Sequence, residues 1–329
     1  MGARLTTKFI WMDGKANVMV PGLLTFRLKM GLAVLSLILL GLALAVAVAS
    51  YAFGIRVGPS LVTAMLVFLF VVSVFQWLFG PYLINAMYRA IEVKPYDPEY
   101  GWLVQMVHEV ALRNGVSPPK VYIADVPFPN AFAYGSPIAG KRVAVTLPTL
   151  RILTREELKA VIGHEIGHLR HHDVEVLMAV GLIPSLIYYL GWSLLWGGGN
   201  SRNNYGPLVG IVLIALSFVF NLFVLYINRL REAYADINSA LTVENGASNL
   251  QLALAKIVLA TNPNALEKYK RKANMAMLFF NDATVDVSSY DAWQLVEAWK
   301  RVKVSPLEEL FSTHPHPAKR IQMLERLKY

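Results

Sequence analysis

The sequence predicts a mostly α-helical membrane protein with four transmembrane helices and a soluble α+β domain that contains a small β-sheet. Hydrophobic residues make up 55% of the 329-residue chain, a larger share than a soluble domain needs. Four stretches of at least 26 residues carry no charged side chain, and about 20 apolar residues are enough to cross a bilayer. The remaining segments alternate between short β-branched runs and amphipathic stretches, which is typical of a cored α+β domain.

The four uncharged stretches divide the chain into membrane and soluble parts. The short connections within the two pairs of spans carry one basic residue each, Arg56 and Arg202, and the other 29 of the 31 Lys and Arg residues lie elsewhere. By the positive-inside rule, the N-terminal tail and both soluble parts are therefore cytoplasmic. The predicted order is a tail, two spans, a first soluble part, two spans and a second soluble part: residues 1–29, 30–83, 84–173, 174–228 and 229–329, with lipid-embedded cores at 31–53, 61–83, 176–196 and 207–228.

The two soluble parts together hold about 190 residues, which is enough for one hydrophobic core. Val121–Ala124 and Arg142–Leu147 are short runs bounded by Pro and Gly, so they predict strands. Helical periodicity predicts helices at residues 100–114, 154–172, 229–242, 249–260, 264–275, 291–303 and 316–327. The net charge of +9 has no nucleic-acid-binding motif beside it, so the predicted partner is a lipid bilayer and not a nucleic acid.

The strongest chemical pattern is a His-Glu-x-x-His sequence at His164, Glu165 and His168. Positions i and i+4 share one face of a helix, so both imidazoles can reach one metal ion and the glutamate between them can act as a general base. Thr154-Arg-Glu-Glu157 reads as a capping box that starts this helix. The pattern therefore predicts the metal site of a zinc peptidase, with a zinc-bound water as the nucleophile.

The absence of cysteine limits which metal site the chain can build. Disulfides, thiolate zinc sites and cysteine nucleophiles are excluded. Histidines and carboxylates must hold any metal, which suits Zn²⁺, although cobalt or manganese can replace it in such a site. A membrane scaffold with a structural zinc is the non-enzymatic alternative, but structural sites close all four positions and usually use thiolates.

A catalytic zinc needs a third protein ligand, and the spacing leaves two alternatives open. One is His171 or His172, which follow shortly after the motif. The other is Glu232, whose neighbour Asp236 lies at i+4 on a helix that continues from the fourth span. In that arrangement Asp236 would accept a hydrogen bond from a ligand imidazole.

Several stretches, in order along the chain, resemble the HtpX membrane metalloproteases, which are relatives of the CAAX prenyl proteases. The His-Glu-x-x-His motif lies between spans and is followed by Arg231-Glu-x-x-Ala-Asp236. Pro129-Asn-Ala-Phe-Ala133, Val143-Ala-Val-Thr146 and Phe311-Ser-Thr-His-Pro315 also resemble family segments. The resemblance implies a zincin-like metalloprotease domain, one Zn²⁺ per chain with Glu232 as the third ligand, and Glu165 as the catalytic carboxylate.

The resemblance also implies a setting and further site residues. It implies the plasma membrane of a bacterium or archaeon, a cytoplasmic active site, and quality control of misfolded or membrane polypeptides. It places His314 near the site, where it is the candidate oxyanion stabiliser. Val143, Ala144, Val145 and Thr146 are predicted to form an edge strand that binds substrate by strand addition, and Asn130 to brace the turn before it or to orient the substrate.

Two other enzyme classes use related chemistry. An intramembrane site-2-type protease carries its motif within a span, but the motif helix here bears Arg155, Glu156, Glu157, Lys159 and Arg170 and so lies outside lipid. A CAAX-type prenyl protease would need more spans than the four counted here to enclose a large chamber. The sequence therefore favours a membrane zinc endopeptidase.

Overall fold

The structure is a computed structural model that describes residues 59–196, 205–265, 289–312 and 314–328. The predicted tail, the first predicted span and most of the predicted helix 264–275 lie outside these residues. All four strands of the described chain lie between residues 90 and 146, and every described element after them is helical. The elements are α1 Pro59–Met87, β1 Ala90–Val93, α2 Gly101–Arg113, β2 Lys120–Ala124, β3 Ala131–Ser136, β4 Gly140–Thr146, α3 Leu147–Ile152, α4 Arg155–Arg170, α5 Asp173–Trp196, α6 Gly206–Thr242, α7 Gly246–Thr261, α8 Ser289–Arg301, a 3-10 turn Pro306–Glu309 and α9 Pro317–Arg326.

Three helices are long and apolar enough to cross a membrane within the described residues: Val67–Met87, Asp173–Leu195 and Gly206–Thr242. They correspond to the second, third and fourth predicted spans. α5 and α6 pack closely because Gly191 and Gly210 face each other, and a Cβ added at Gly210 would lie only 2.6 Å from the Gly191 carbonyl oxygen. Small residues at a crossing are what lets membrane helices approach.

The prediction of a mostly helical membrane protein with a small sheet is confirmed, and the sheet contains the two predicted strands. Its order is β1-β2-β4-β3, with β2 and β4 parallel and the other two pairs antiparallel. The strands β1 and β3 were not predicted from the sequence. β3 has the sequence Ala-Phe-Ala-Tyr-Gly-Ser, whose small residues have low strand propensity.

The prediction that Val143–Thr146 forms an edge strand is wrong. β4 pairs with β2 on one side and with β3 on the other, and Val143, Ala144, Val145 and Thr146 are all fully buried. A continuous buried run of this kind is typical of a central strand covered on both faces. Among the described residues, β3 forms the open edge on that side of the sheet.

The soluble core lies between the sheet and helices α2, α4 and α7. Leu103, Val107, Ile162, Ile166 and Val143 are among its fully buried members. The predicted capping box at the start of α4 is confirmed: the Glu157 backbone N–H donates to Thr154 Oγ1 and the Thr154 N–H donates to Glu157 Oε2. The same Glu157 carboxylate accepts from Lys256 Nζ of α7 at 2.9 Å. α4 is therefore fixed at its N-terminus before it enters the site.

Candidate active site

Two helices bring the candidate site together. α4 carries His164, Glu165 and His168, and the part of α6 that follows its apolar stretch carries Glu232 and Asp236. α6 has 37 residues, about 55 Å at 1.5 Å per residue, so it is long enough to cross a bilayer of about 30 Å and still reach the soluble domain.

Glycines let α4 lie directly on α6. A Cβ at Gly163 would approach Val243 Cγ2 to 2.7 Å, and a Cβ at Gly167 would approach Ala235 Cα to 3.1 Å. Hydrogen bonds then fix the two helices: Asn238 Nδ2 donates to the Gly163 carbonyl at 2.9 Å, and Ser239 Oγ donates to the helix α4 backbone at 2.6 Å. This close contact holds the histidines opposite Glu232.

The ligand atoms of His164, His168 and Glu232 lie within 4.8 Å of one another. The two Nε2 atoms are 3.2 Å apart, and they lie 3.6 Å and 3.5 Å from the Glu232 carboxylate oxygens. Ligands bound tetrahedrally at about 2.0–2.1 Å from Zn²⁺ would be roughly 3.3 Å apart. Two imidazoles and one carboxylate at this spacing therefore fit a single zinc-sized cation.

A carboxylate lies behind each histidine. His164 Nδ1 is 2.8 Å from Asp236 Oδ1, and His168 Nδ1 is 2.5 Å from Asp173 Oδ2. Each contact occupies Nδ1 and leaves Nε2 facing the point that the ligand atoms of His164, His168 and Glu232 surround. A carboxylate in this position is the usual support of a metal-binding imidazole. Asp236 therefore contacts one of the two motif imidazoles, and Asp173, which the sequence did not predict, contacts the other.

Each of these carboxylates is in turn held by an arginine. Arg320 of α9 binds Asp236 with two bonds, Nη2 to Oδ1 at 2.6 Å and Nε to Oδ2 at 2.8 Å. Arg231 binds Asp173 through one contact of 2.9 Å and also donates to Asn228 Oδ1 at 2.8 Å. The site thus contains two hydrogen-bonded series of side chains, each running from an imidazole through a carboxylate to a guanidinium.

Burial and charge shift two pKa values in the site. Burial lowers the pKa of His164, but the carboxylates of Asp236 and Glu232 outweigh it and raise the pKa to about 10. Burial raises the pKa of Glu165, whose Oε2 accepts a hydrogen bond from the Ala133 backbone N–H at 2.9 Å. A buried carboxylate with a raised pKa is a better proton acceptor than an exposed one.

The other predicted residues lie at different distances from this group. His314 Nδ1 is 3.2 Å from Glu232 Oε2, and its side chain is 65% exposed. His171 packs against the Tyr234 ring, and the His172 side chain is 69% exposed. Neither of the latter two joins the metal-sized group found among the described residues, which consists of His164, His168 and Glu232.

The predicted substrate-binding residues lie in two regions, the interior of the sheet and the segment just before β3. Val143, Ala144, Val145 and Thr146 lie inside the sheet, as described above. The backbone of Asn130 is bound on both of its polar groups: its N–H donates to Thr146 Oγ1 at 2.9 Å, and its carbonyl accepts from the Thr146 N–H at 3.0 Å and from Thr149 Oγ1 at 2.9 Å. Asn130 therefore braces the chain where it enters β3.

The fold and the site define a membrane metallopeptidase. A sequence model of Peptidase family M48 matches residues 98–328, and the chain belongs to that family. The chain is 58% identical over 314 residues to Protease HtpX homolog 2 of Saccharolobus solfataricus, covering 92% of this chain and 97% of that protein. It is 48% identical over 314 residues to Protease HtpX homolog of Thermoplasma acidophilum, covering 93% and 99% respectively. The predicted resemblance to HtpX-like metalloproteases is confirmed.

A solved structure has a similar fold. The crystal structure of S. mikatae Ste24p matches with a TM-score of 0.52 at 17% identity, over 91% of this chain and 66% of that chain. At this identity the similarity concerns the fold alone.

Proposed function

We propose that this protein is a zinc-dependent endopeptidase of the membrane, with one Zn²⁺ per chain held by His164, His168 and Glu232. The observation that carries the proposal is the convergence of these three ligand atoms within 4.8 Å, with a carboxylate behind each imidazole. The described residues supply no fourth ligand to this group, which matches a catalytic site that keeps one position open for solvent or substrate.

The reaction that suits these residues is peptide-bond hydrolysis. Zn²⁺ bound here supplies a water of lowered pKa and polarises the scissile carbonyl. Glu165 takes the proton from the attacking water at its carboxylate and delivers it to the leaving nitrogen. The raised pKa of the buried Glu165 favours the first transfer, from the water to the carboxylate. The Ala133 N–H holds one oxygen of this carboxylate, which leaves the other to meet the water.

The edge of β3 that does not pair with β4 suits an extended substrate. The Thr146 N–H donates to the Asn130 carbonyl, next to the Ala131–Val145 pair that begins the β3–β4 ladder, so the backbone groups of Ala131, Ala133 and Gly135 point away from β4. Of these, the Ala133 N–H already meets Glu165. A peptide that adds to this edge would lie beside the catalytic carboxylate and would gain affinity from its backbone with little sequence preference.

The setting of the reaction is part of the proposal. The basic residues near the span ends, such as Arg89, Lys94, Arg229 and Arg231, favour a cytoplasmic catalytic domain by the positive-inside rule. The proposed division of the chain is the predicted one, with the protease domain split between residues 84–173 and 229–329. The relatives named as HtpX proteases support polypeptide substrates, and the proposal takes these to be unfolded or membrane polypeptides handled in protein quality control.

A pair of glutamate variants on α4 tests the reaction. Glu165→Gln in the purified full-length protein should retain zinc and lose casein cleavage by at least about 100-fold, because the proton acceptor is gone. Glu156→Gln is the matched control, since it lies on the same helix with an exposed side chain. Zinc content is measured by elemental analysis and cleavage with and without a chelator. Chelator-sensitive cleavage that persists in Glu165→Gln would remove Glu165 as the base.

His314 is the proposed oxyanion stabiliser, because it lies beside Glu232 at 3.2 Å and faces open solvent. His314→Ala should lower kcat with little change in KM, and we expect a loss of about 10-fold to 100-fold, at the lower end for oxyanion donors because the side chain is exposed. Steady-state kinetics on a fluorogenic peptide measures both constants. An unchanged kcat would exclude His314 from the mechanism.

A further inference from the structure

A short loop of the soluble domain lies against the apolar part of α6. This segment, residues 309–312, is called the Phe311 loop below. Arg229 Nη1 donates to the carbonyls of Glu309 at 2.8 Å and Ser312 at 2.9 Å. The Phe311 ring stacks on Phe218 of α6, with ring centroids 6.1 Å apart and planes 29° from parallel. The loop therefore runs from Arg229 along α6 towards the N-terminal end of that helix.

The position of Phe218 gives the depth that the loop reaches. α6 has no charged residue from Gly206 to Asn228, 23 residues (228 − 206 + 1) that span about 34 Å at 1.5 Å per residue. This length matches a hydrocarbon core of about 30 Å. Phe218 lies near the middle of the stretch, about 15 Å from its Asn228 end. A ring that stacks on Phe218 is consequently well inside the apolar zone.

The polar groups at both ends of the loop have partners within the protein, and the Glu309 carboxylate binds Lys319 Nζ and the His316 N–H. Irregular backbone is tolerated at membrane depth only where its polar groups find partners, and Arg229 satisfies two of the loop carbonyls. The stacked rings are 64% and 56% exposed at Phe311 and Phe218. In water, such a pair would leave a large apolar surface uncovered.

We propose that the Phe311 loop inserts into the bilayer and that lipid acyl chains cover Phe311. The occupant follows from continuity, because Phe218, Val219 and Phe223 of the same helix expose large apolar side chains in the described structure. The lipid-facing surface of α6 thus extends onto the soluble domain through Phe311. The inference concerns lipid contact and does not depend on the proposed reaction.

The insertion ties the active site to the membrane surface. Glu232 lies 14 residues beyond Phe218 (232 − 218), about 21 Å along α6. With a hydrocarbon half-thickness of about 15 Å, the ligand group sits about 6 Å outside the apolar zone, at headgroup level. His314 follows the loop by two residues, so lipid-anchored Phe311 restrains its approach to Glu232.

Spin labels can measure the depth directly, because the natural chain has no cysteine. The full-length protein with Phe311→Cys carries a nitroxide and is reconstituted in phosphatidylcholine vesicles. Collision with oxygen, which concentrates in lipid, is compared with collision with a water-soluble nickel chelate. Val219→Cys is the lipid-facing control and Tyr290→Cys, with a 67% exposed side chain on α8, is the water-facing control.

The expected result is an oxygen-to-nickel ratio at position 311 above one and close to that of the Val219 control. A ratio that matches the Tyr290 control would overturn the proposal. A label shielded from both reagents would also overturn it, because protein, including a second copy of the chain, would then cover the site. Ser312→Cys repeats the measurement with the Phe311 ring intact, and it should also report lipid exposure above the Tyr290 control.

Discussion

The two sides of the ligand group are built from the same parts and are supported differently. On one side, His164 meets Asp236, which Arg320 binds through two bonds. On the other, His168 meets Asp173, which Arg231 binds through one contact. The first side takes its arginine from the C-terminal helix, 84 positions away from Asp236. The second takes its carboxylate from five positions beyond the histidine.

The His164 imidazole is thus oriented by tertiary structure, and the His168 imidazole mainly by local chain geometry. The His164 side forms only when α9 docks, whereas the His168 side needs the turn between α4 and α5 and the adjacent α6. That turn contains His172 with a φ of 55°, a left-handed conformation that reverses the chain after α4. Both sides are buried, but only Arg320 binds its carboxylate with two bonds, so loss of the Asp236 side should cost more than loss of the Asp173 side.

The largest expected difference concerns stability. Asp236→Ala leaves the Arg320 guanidinium without its carboxylate in a site where its side chain is 12% exposed, so we expect the free energy of unfolding to fall by about 3–5 kcal/mol. Asp173→Ala should cost about 1–3 kcal/mol, because Arg231 keeps its bond to Asn228. Urea unfolding of the metal-free protein in mild detergent measures both.

A double variant serves as the control for this comparison. Arg320→Met in the Asp236→Ala background should recover part of the loss, because it removes a buried charge that has lost its two-bond partner and, of the carboxylates, keeps only a 4.0 Å contact with Glu232 Oε2. Equal losses for Asp236→Ala and Asp173→Ala would contradict the proposed asymmetry.

The next effect concerns metal affinity. Asp236→Asn and Asp173→Asn should each weaken zinc binding by about 10-fold to 100-fold, because a neutral amide supports the imidazole less than a carboxylate does. The Asp236→Asn loss should be the larger one, since the amide also meets two donors of Arg320. Competition against zinc chelators of graded affinity measures both values. A larger loss for Asp173→Asn would reverse the order of the two sides.

The smallest expected effect is the number of protons that the protein releases when it binds zinc. With its pKa raised to about 10 in the metal-free protein, His164 is protonated at pH 7 and must lose that proton to bind a metal through Nε2. Zinc uptake should therefore release about one proton from His164, and zinc affinity should rise by about tenfold per pH unit below its pKa. Calorimetry in buffers of different ionisation enthalpy counts the proton. Asp236→Asn should reduce the count, and a wild-type count of zero would refute the charged state.

The parts of the site that local spacing encodes were predictable from the sequence. The His-Glu-x-x-His helix with its cap follows from helical periodicity. Spacing left the third ligand open between His171 or His172 and Glu232, and only the resemblance to the HtpX metalloproteases implied Glu232. Arg320 was not predictable, because its partner Asp236 lies 84 positions away and no local pattern joins them. Asp173 carried a weak signal, a carboxylate five positions after His168, which the chain reversal at His172 makes relevant.

The sheet shows the same limit. The β-branched run of β4 identified a strand, but strand order depends on pairing between distant segments, so the position of β4 in the sheet was predicted wrongly. β3 was not predicted as a strand, because Ala, Gly and Ser make up most of it.

The close glycine contact between α4 and α6 has a mechanical consequence. A tilt of about 5° of α6 around the bilayer centre would displace a point about 21 Å along it by roughly 2 Å, ten times the tolerance of about 0.2 Å on a metal–ligand distance. Gly163 and Gly167 lock α4 onto the same rod, so such a tilt carries all three ligands together. The three side chains therefore keep their relative positions when a change in membrane thickness tilts α6, although Glu232 lies on that helix.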